Sequence, residues 1–205
     1  MIARSPCLDG QKDLQDSTVS SILLLGAPGE GISLAADILA ETALFAGFHP
    51  QTMESHPTDS EECVCCEVQI GSRGYSPNPG RVDLLVALNP EALRNQLYRL
   101  APDGMALAVE ESRLKFPSDP RVLWVRSDAS LDLQRWGRRL HLLMLGVASW
   151  RLPFSTEDWS ASMESQLPRK LLGTAREAFR AGRKLTLDQR ALRVQAFSGS
   201  RRGNS

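Results

Sequence analysis

The sequence predicts an α/β fold in which a parallel-rich, Rossmann-like sheet is flanked by helices, with a helical annex at the C-terminal end. Three features of the sequence favour this architecture. Apolar stretches of strand length alternate with segments of helical periodicity, as in a sheet that is covered on both faces. A glycine-rich turn joins the first apolar stretch to the first helical segment. The end of the chain is helical, without a strand-like run.

The first half of this architecture begins with a buried strand at 20–27. A helix is predicted over 30–46, where apolar residues recur at helical spacing, and Gly47 is well placed to end it. Two further strands are predicted at 50–55 and 65–72. These elements place the glycine-rich turn between the first strand and the first helix.

The middle of the chain contains the clearest buried strand after the first, at 82–89. A helix at 90–100 follows it, with Pro90 at the first helical position, where a missing N–H has no cost. The remaining predicted elements are a turn-rich connection at 72–81, a turn at 101–105 and strands at 106–112 and 121–127.

The last part of the chain has helical periodicity. One helix is predicted over 127–150, capped by Ser127 or Asp128. The annex follows it with the segment "SMESQLPRKLLGTAREAFRAGRKL". We expect a flexible N-terminal lead at 1–19, one folded domain at 20–184 and a basic C-terminal tail at 185–205.

Composition limits the classes of function. The chain has 205 residues, 42% of them hydrophobic, and a formal net charge of zero. Bulk charge therefore gives no reason to expect a nucleic acid or a membrane as partner. No apolar run approaches the length that spans a membrane, and the N-terminus lacks the apolar segment of a signal peptide. We expect a cytoplasmic protein whose four cysteines are reduced.

The charges are unevenly distributed along the chain. Residues 41–70 contain six acidic residues and no Lys or Arg, whereas residues 176–205 contain eight basic residues and two acidic ones. Such segments are commonly solvated surface. They would also suit an assembly in which electrostatic attraction steers the partners together.

The glycine-rich turn is the principal candidate for a binding site. It lies where the carboxyl end of a strand meets the N-terminus of a helix, whose free N–H groups attract anions. The glycines would let the backbone approach a ligand closely. The candidate cofactor-binding residues are Gly26, Gly29, Glu30, Gly31 and Ser33.

Two nucleotide-binding motifs almost fit this turn. The spacing of Gly26, Gly31 and Ser33 matches a Walker loop, but Ile32 stands where that loop has its lysine. A dinucleotide fingerprint begins at Gly29, but Leu34 occupies the position of its third glycine. Glu30 would also repel a phosphate. A tight turn that packs the first helix onto the sheet is the competing interpretation.

The cysteines and histidines do not predict a metal or catalytic centre. Cys63 and Cys65 would face one side of a strand and Cys66 the other, so their thiols would not converge on one ion. We therefore expect no metal site and interpret these cysteines as small buried hydrophobes. His56 lies in an acidic loop, and His141 lies among apolar residues, where a structural role is expected. No catalytic residue can be assigned.

The order of these features resembles the gamma-type subunit or domain of the 2-oxoacid:ferredoxin oxidoreductases, including the pyruvate, 2-oxoglutarate, ketoisovalerate and indolepyruvate enzymes. That family opens with a strand, a loop of the type G-x-G-G-Q-G and a helix ending in "iLaeaa…G". This chain has glycines 26, 29 and 31 in its loop and then "DILAETALFAG". Four later segments also match in order, so that the resemblance covers roughly 20–184: "CEVQIGS", "RVDLLVALNPEAL", "LHLLMLGVA" and "AREAFRAGRK".

This resemblance implies a subunit that does not act alone. In the family, thiamine diphosphate, iron–sulfur clusters and coenzyme A serve the oxidative decarboxylation of a 2-oxoacid to an acyl-CoA. The thiamine and cluster sites lie largely in other subunits or domains, and this chain has neither a thiamine-type G-D-G segment nor a ferredoxin-type cysteine run. The implied partners are therefore a thiamine-diphosphate subunit and a ferredoxin-like subunit, with the 2-oxoacid and coenzyme A as substrates of the complex.

The chain also departs from the family pattern. Pro28 replaces a loop glycine, Glu30 replaces the glutamine, and Ser60-Glu61-Glu62 stands where the family has Arg-Gly-Gly. These changes are consistent with a diverged member whose ligand or partner contacts differ. Two alternatives remain: a non-catalytic scaffold or regulator related to the family, and a free-standing nucleotide-binding enzyme of Rossmann type.

Overall fold

A computed structural model describes residues 21–55, 63–71, 80–110, 119–126 and 133–199, with the side chains of the last segment described as far as residue 185. The predicted lead at 1–19, most of the connection at 72–81 and the proposed capping residues Ser127 and Asp128 lie outside these ranges. No helix in the described ranges combines the length and the apolar character needed to cross a membrane.

The strands form one six-stranded sheet in the order β2-β3-β1-β4-β5-β6. β1, β4, β5 and β6 pair in parallel, whereas β3 pairs antiparallel with both β1 and β2. The parallel-rich sheet predicted from the sequence is therefore confirmed. The strand bounds are β1 (Ser21–Gly26), β2 (His49–Ser55), β3 (Val64–Gly71), β4 (Val82–Ala87), β5 (Leu100–Val109) and β6 (Val122–Val125).

β2 occupies an unusual place for a strand that follows the first helix. It runs parallel to β1 but is not its neighbour, because β3 lies between the two. At the edge of the sheet, β2 is largely exposed, including the side chain of Met53. The antiparallel direction of β3 could not be predicted from its sequence. β3 is apolar and buried along most of its length, as a parallel strand covered on both faces would also be.

The helices are α1 (Ile32–Phe45), α2 (Pro90–Gln96), α3 (Leu133–Trp136), α4 (Leu140–Ala148), α5 (Thr156–Gln166) and α6 (Arg169–Gly199). Pro90 is at the first position of α2 as predicted, and the side chain of Asn89 caps that helix by accepting a hydrogen bond from Ala92 N at 2.7 Å. α1 ends two residues before Gly47, which has a φ of +85° that favours glycine.

Two predicted boundaries were wrong. The segment 101–105 is not a turn but the first half of β5, where the pairing with β4 shifts register between Val82 and Leu84. The single helix predicted over 127–150 is, in its described part, two α-helices separated by a 3₁₀ turn at Gly137–Arg139. Gly137 has low helix propensity, which favours a break at this point.

Two hydrophobic layers cover the sheet. Alternation along β1 sends Ile22 and Leu24 to one face, which α1, α4, α5 and α6 cover, and Leu23 and Leu25 to the other, which α2 covers. The C-terminal annex joins the thicker layer through Trp159, which is fully buried between Phe154 and Phe179 with ring centroids 5.9 and 5.1 Å away.

α4 and α6 approach each other through two glycines. A Cβ added to Gly146 of α4 would lie 2.1 Å from the carbonyl oxygen of Phe179, and one added to Gly182 of α6 would lie 2.0 Å from that of Leu143. The two backbones are therefore in direct contact. The segments "LHLLMLGVA" and "AREAFRAGRK", which are separate in the sequence, are the two sides of this one helix–helix contact.

Candidate functional site

The glycine-rich loop joins the end of β1 at Gly26 to the start of α1 at Ile32, at the carboxyl edge of the parallel strands. A turn closes inside the loop, where Glu30 N donates to Ala27 O at 3.1 Å. Gly29 and Gly31 have φ angles of +85° and +82°. Both conformations lie in the left-handed region, which explains why the loop has glycine at these two positions.

Glu30 is folded back into the loop. Its Oε2 accepts a hydrogen bond of 2.7 Å from Ala27 N. A Cβ on Gly26 would lie 2.7 Å from that same oxygen, so the carboxylate occupies the space that a side chain at Gly26 would need. The sequence suggested that Glu30 would repel a phosphate at the mouth of the loop. In the structure its carboxylate bonds to the loop backbone, and the expected repulsion stays a prediction.

The N-terminus of α1 has unused hydrogen-bond donors. Gly31 is the N-cap residue and offers no side chain, and the first turn contains no acidic residue. Among the described residues, the N–H groups of Gly31, Ile32 and Ser33 have no hydrogen-bond acceptor. Such donors, aligned with the positive end of the helix dipole, are suited to an anionic group.

The hydroxyl of Ser33 is turned toward β2. It donates to Oε2 of Glu54 at 2.8 Å, and the thiol of Cys66 lies 3.7 Å from the same oxygen. Burial raises the pKa of the Cys66 thiol to about 11, and the neighbouring Glu54 carboxylate contributes to this rise. Cys66 is therefore a neutral thiol at neutral pH, and Glu54 ties β2 to the first turn of α1.

His141 lies directly against the loop. Its side chain is only 6% exposed, and a Cβ on Gly31 would lie 2.7 Å from both its Cε1 and its Nδ1. Neither ring nitrogen forms a hydrogen bond of normal geometry with a described residue, although the Glu30 backbone lies close enough to interact with the ring. Burial lowers the pKa of His141 to about 4, against a smaller opposing contribution from the Glu30 backbone, so the imidazole is neutral at neutral pH.

The three cysteines in the described ranges do not converge on one point. Cys63 and Cys65 lie on one face of the sheet with their sulfurs 3.8 Å apart, and Cys66 lies on the other, as their spacing predicted. Burial and the neighbouring Cys63 raise the pKa of the Cys65 thiol to about 12, so Cys65 is a neutral thiol at neutral pH. Within the described ranges, no group of three or more metal-ligating side chains converges.

All five residues predicted for the site lie on the loop or on the first turn of α1. Sequence reasoning missed His141, which it treated as structural, and Glu54, which is distant in the chain. The signal for His141 was a single polar residue in the otherwise apolar segment "LHLLMLGVA". Glu54 gave no signal, because its contact with Ser33 depends on the position of β2 in the sheet.

A family model described as pyruvate ferredoxin/flavodoxin oxidoreductase matches residues 21–185 of the chain. A search with this chain found no matching curated protein sequence. One similar solved structure is the gamma subunit of a keto/oxoacid ferredoxin oxidoreductase from Geobacter sulfurreducens, with 23% identity and a TM-score of 0.65. That match covers 82% of this chain and 99% of the Geobacter chain.

Two further solved structures have the same fold. A 2-oxoglutarate:ferredoxin oxidoreductase from Magnetococcus marinus, solved with 2-oxoglutarate, coenzyme A and succinyl-CoA bound, is 19% identical with a TM-score of 0.70. The match covers 83% of this chain but 31% of that one, so this chain spans about a third of its length. A pyruvate oxidoreductase subunit from Thermotoga maritima is 20% identical with a TM-score of 0.56, covering 80% of this chain and 95% of that one.

Proposed function

We propose, on the premise that this chain belongs to the pyruvate ferredoxin/flavodoxin oxidoreductase family, that it is the gamma-type subunit or domain of a multi-subunit 2-oxoacid:ferredoxin oxidoreductase. It supports the coenzyme-A-dependent oxidative decarboxylation of a 2-oxoacid without catalysing that reaction alone. The observation that carries this proposal is the family match, which spans the whole sheet, the glycine loop and the described side chains of the annex.

The glycine loop is the part of this chain that meets a ligand. The free N–H groups of Gly31, Ile32 and Ser33 are hydrogen-bond donors suited to an anionic group, such as one of the phosphates of coenzyme A. Gly26 and Gly29 let the backbone approach that group closely, and Glu30 holds the loop in shape through its bond to the backbone. The role of these residues is to bind and orient the ligand.

The cofactors of the reaction belong to the partners in this proposal. Thiamine diphosphate supplies the carbanion chemistry and iron–sulfur clusters take up the electrons, each in another subunit. The buried cysteines of this chain do not fit a cluster, since their sulfurs lie on opposite faces of the sheet. We place the working complex in the cytoplasm, with a thiamine-diphosphate subunit and a ferredoxin-like subunit.

The proposal is tested by affinity purification of the tagged full chain from its source cell under native conditions, followed by mass spectrometry. We expect stoichiometric recovery of a thiamine-diphosphate subunit and a ferredoxin-like subunit, with 2-oxoacid-dependent ferredoxin reduction in the eluate. An untagged strain is the control for carry-over. Recovery of the chain alone, as a stable monomer or homo-oligomer, would contradict the proposal and favour a scaffold or a free-standing nucleotide-binding protein.

A further inference from the structure

The thiols of Cys63 and Cys65 lie side by side, and the proposed function gives them no role. Their sulfurs are 3.8 Å apart and share a hydrogen bond. Both side chains belong to the thinner hydrophobic layer, on the face of the sheet that α2 covers. Cys66 lies on the opposite face, where its thiol is 3.7 Å from a carboxylate oxygen of Glu54. Among the described cysteines, Cys63 and Cys65 are therefore the pair whose sulfurs can meet.

A disulfide between these two residues needs a small change in the local backbone. The bond is about 2.0 Å long and prefers Cα atoms about 5.5–6 Å apart. Two residues along a strand advance by about 6.4–6.8 Å, which is the upper limit of the range that disulfides tolerate. Cys63 precedes the first residue of β3, outside the register that pairs Val64 with Gly26. The chain can therefore shorten at Cys63 by the roughly 1 Å that the bond requires.

Cys63 is the thiol that an oxidant meets first. It lies at the end of the strand, where opening costs less free energy than in the strand interior, and it is 6% exposed against 2% for Cys65. Burial and the neighbouring Cys63 raise the pKa of Cys65 to about 12, although the charge of Arg99 opposes that rise. Because the thiolate is the reactive form of cysteine, Cys65 reacts slowly with an oxidant from solution.

We propose that Cys63 and Cys65 form a reversible disulfide, with a peroxide such as hydrogen peroxide as the oxidant. The sulfur of Cys63 attacks one peroxide oxygen and the O–O bond breaks, which leaves a sulfenic acid on Cys63 and releases one water with the thiol proton. The sulfur of Cys65 then attacks that of Cys63, the S–O bond breaks, and the hydroxyl leaves with the Cys65 proton as a second water. The two thiols lose two electrons and two protons in total, and the peroxide is reduced to two waters.

This disulfide is suited to a transient modification. The ring that it closes contains a single residue, Val64, between the two cysteines, and the backbone shift that it needs leaves the bond strained. Strained disulfides are reduced more readily than relaxed ones, so a dithiol reverses the modification by thiol–disulfide exchange. In a reducing compartment, disulfides that do form are usually transient and redox-sensing or catalytic.

The disulfide acts on the start of the glycine loop. In the register of β3 with β1, Val64 pairs with Gly26 and Cys65 pairs with Leu25. A shortening of the chain between Cys63 and Cys65 falls on Val64, and so on the pairing that holds Gly26, the residue from which the loop begins. An effect on a ligand of the loop rests on the proposed function, whereas the disulfide itself does not.

The disulfide is tested on the full-length chain, treated with hydrogen peroxide under native conditions and then with N-ethylmaleimide to block the remaining thiols. Cleavage after glutamate releases the peptide "CVCCE", residues 63–67. We expect this peptide to lack two hydrogen atoms and to carry one maleimide, on Cys66. Reduction with dithiothreitol before blocking should restore three maleimides.

Single variants identify the two partners. Cys63→Ala and Cys65→Ala should each abolish the bond, and in Cys65→Ala dimedone should trap the sulfenic acid on Cys63. Cys66→Ala is the matched control, because it removes the adjacent thiol on the other face of the sheet. It should change the rate of disulfide formation less than about twofold. A bond that includes Cys66, a bond between two chains, or a bond that forms only in urea would overturn the inference.

Hydrogen exchange measures the coupling to the loop. The amides of residues 24–26 and 64–66 should exchange about tenfold faster in the oxidised chain than in the reduced one. Those of β5 and β6, which are distant from the cysteines in the sheet, should change less than about twofold. Unchanged exchange at 24–26 in the oxidised chain would refute the effect on the loop. None of these measurements involves partner subunits, so a failure here is distinguishable from a failure of the proposed function.

Discussion

The contact between α4 and α6 predicts that Gly182→Ala destabilises the protein. The added Cβ would lie 2.0 Å from the carbonyl oxygen of Leu143, whereas a carbon–oxygen contact normally requires about 3.3 Å. Because the obstacle is backbone, no side chain can rotate away and the helices must separate by about 1 Å. Overpacking of this kind costs roughly 3 kcal/mol, at the upper end of its usual range.

Helix propensity opposes this cost in part. Alanine favours a helix over glycine by about 1 kcal/mol, so the net loss should be about 2 kcal/mol. In a domain of this size that corresponds to a fall in Tm of roughly 4–8 °C. Gly173→Ala is the matched control on α6, because nothing lies within 4 Å of its added Cβ. It should raise Tm by about 2–4 °C through propensity alone.

Thermal unfolding followed by circular dichroism measures both variants. The reasoning is refuted if Gly182→Ala unfolds within about 1 °C of the wild type, or if the two substitutions shift Tm in the same direction. Gly146→Ala meets the same contact from the other helix, with its Cβ 2.1 Å from the oxygen of Phe179. It should therefore reproduce the loss, and the double variant should lose less than the sum of the two.

Three further predictions concern the loop and the buried charges. Gly31→Ala should cost more stability than Gly29→Ala in urea denaturation, because both have positive φ angles but only the first meets His141; equal losses would contradict this. Since the pKa of His141 is lowered to about 4 from 6.5, the unfolded chain binds the proton first, and stability should fall by about 3 kcal/mol as pH falls from about 6.5 to 4. His141→Asn should abolish that part of the pH dependence, and an unchanged profile would refute the assignment. Arg99→Ala removes the partner of a buried carboxylate and should cost about 3–5 kcal/mol in the same denaturation assay, against less than about 1 kcal/mol for the exposed Arg135→Ala; similar losses would count against the buried pair.

The buried carboxylate in the last of these predictions is Glu67 of β3. Burial by itself would raise the pKa of Glu67, but hydrogen bonds from Gln69, Arg99 and Ser21 and the charge of Arg99 outweigh it and lower the pKa. The carboxylate therefore stabilises the fold above the pKa that it has in the unfolded chain. This stabilisation is lost as the pH falls through the lower folded-state pKa.

Local sequence features predicted the elements that depend on local chemistry. The apolar run of β1, the proline at the start of α2 and the glycines of the loop each reflect a requirement of a few adjacent residues. The segment 101–105 was wrongly predicted as a turn because proline, aspartate and glycine favour turns locally. In the structure, pairing with β4 overrides that preference.

Only the glycine loop of the candidate site could be predicted from the sequence, because the other residues reach it through tertiary packing. The loop is continuous in the chain and could be identified from its glycines. His141 reaches the loop because α4 packs on α6 through Gly146 and Gly182, and Glu54 reaches Ser33 because β2 pairs with β3. These contacts depend on tertiary packing between distant segments, which spacing along the chain does not encode.

The position of β3 has a consequence for the order in which the protein folds during synthesis. β1, α1 and β2 emerge from the ribosome first, but β1 and β2 are not neighbours and cannot pair. Both strands keep an unpaired edge until β3 has been translated and enters the gap between them. Only then is Glu54 fixed beside Ser33. The glycine loop, although encoded near the beginning of the chain, therefore gains its contact with Glu54 only after residue 71 has been made, and its contact with His141 later still.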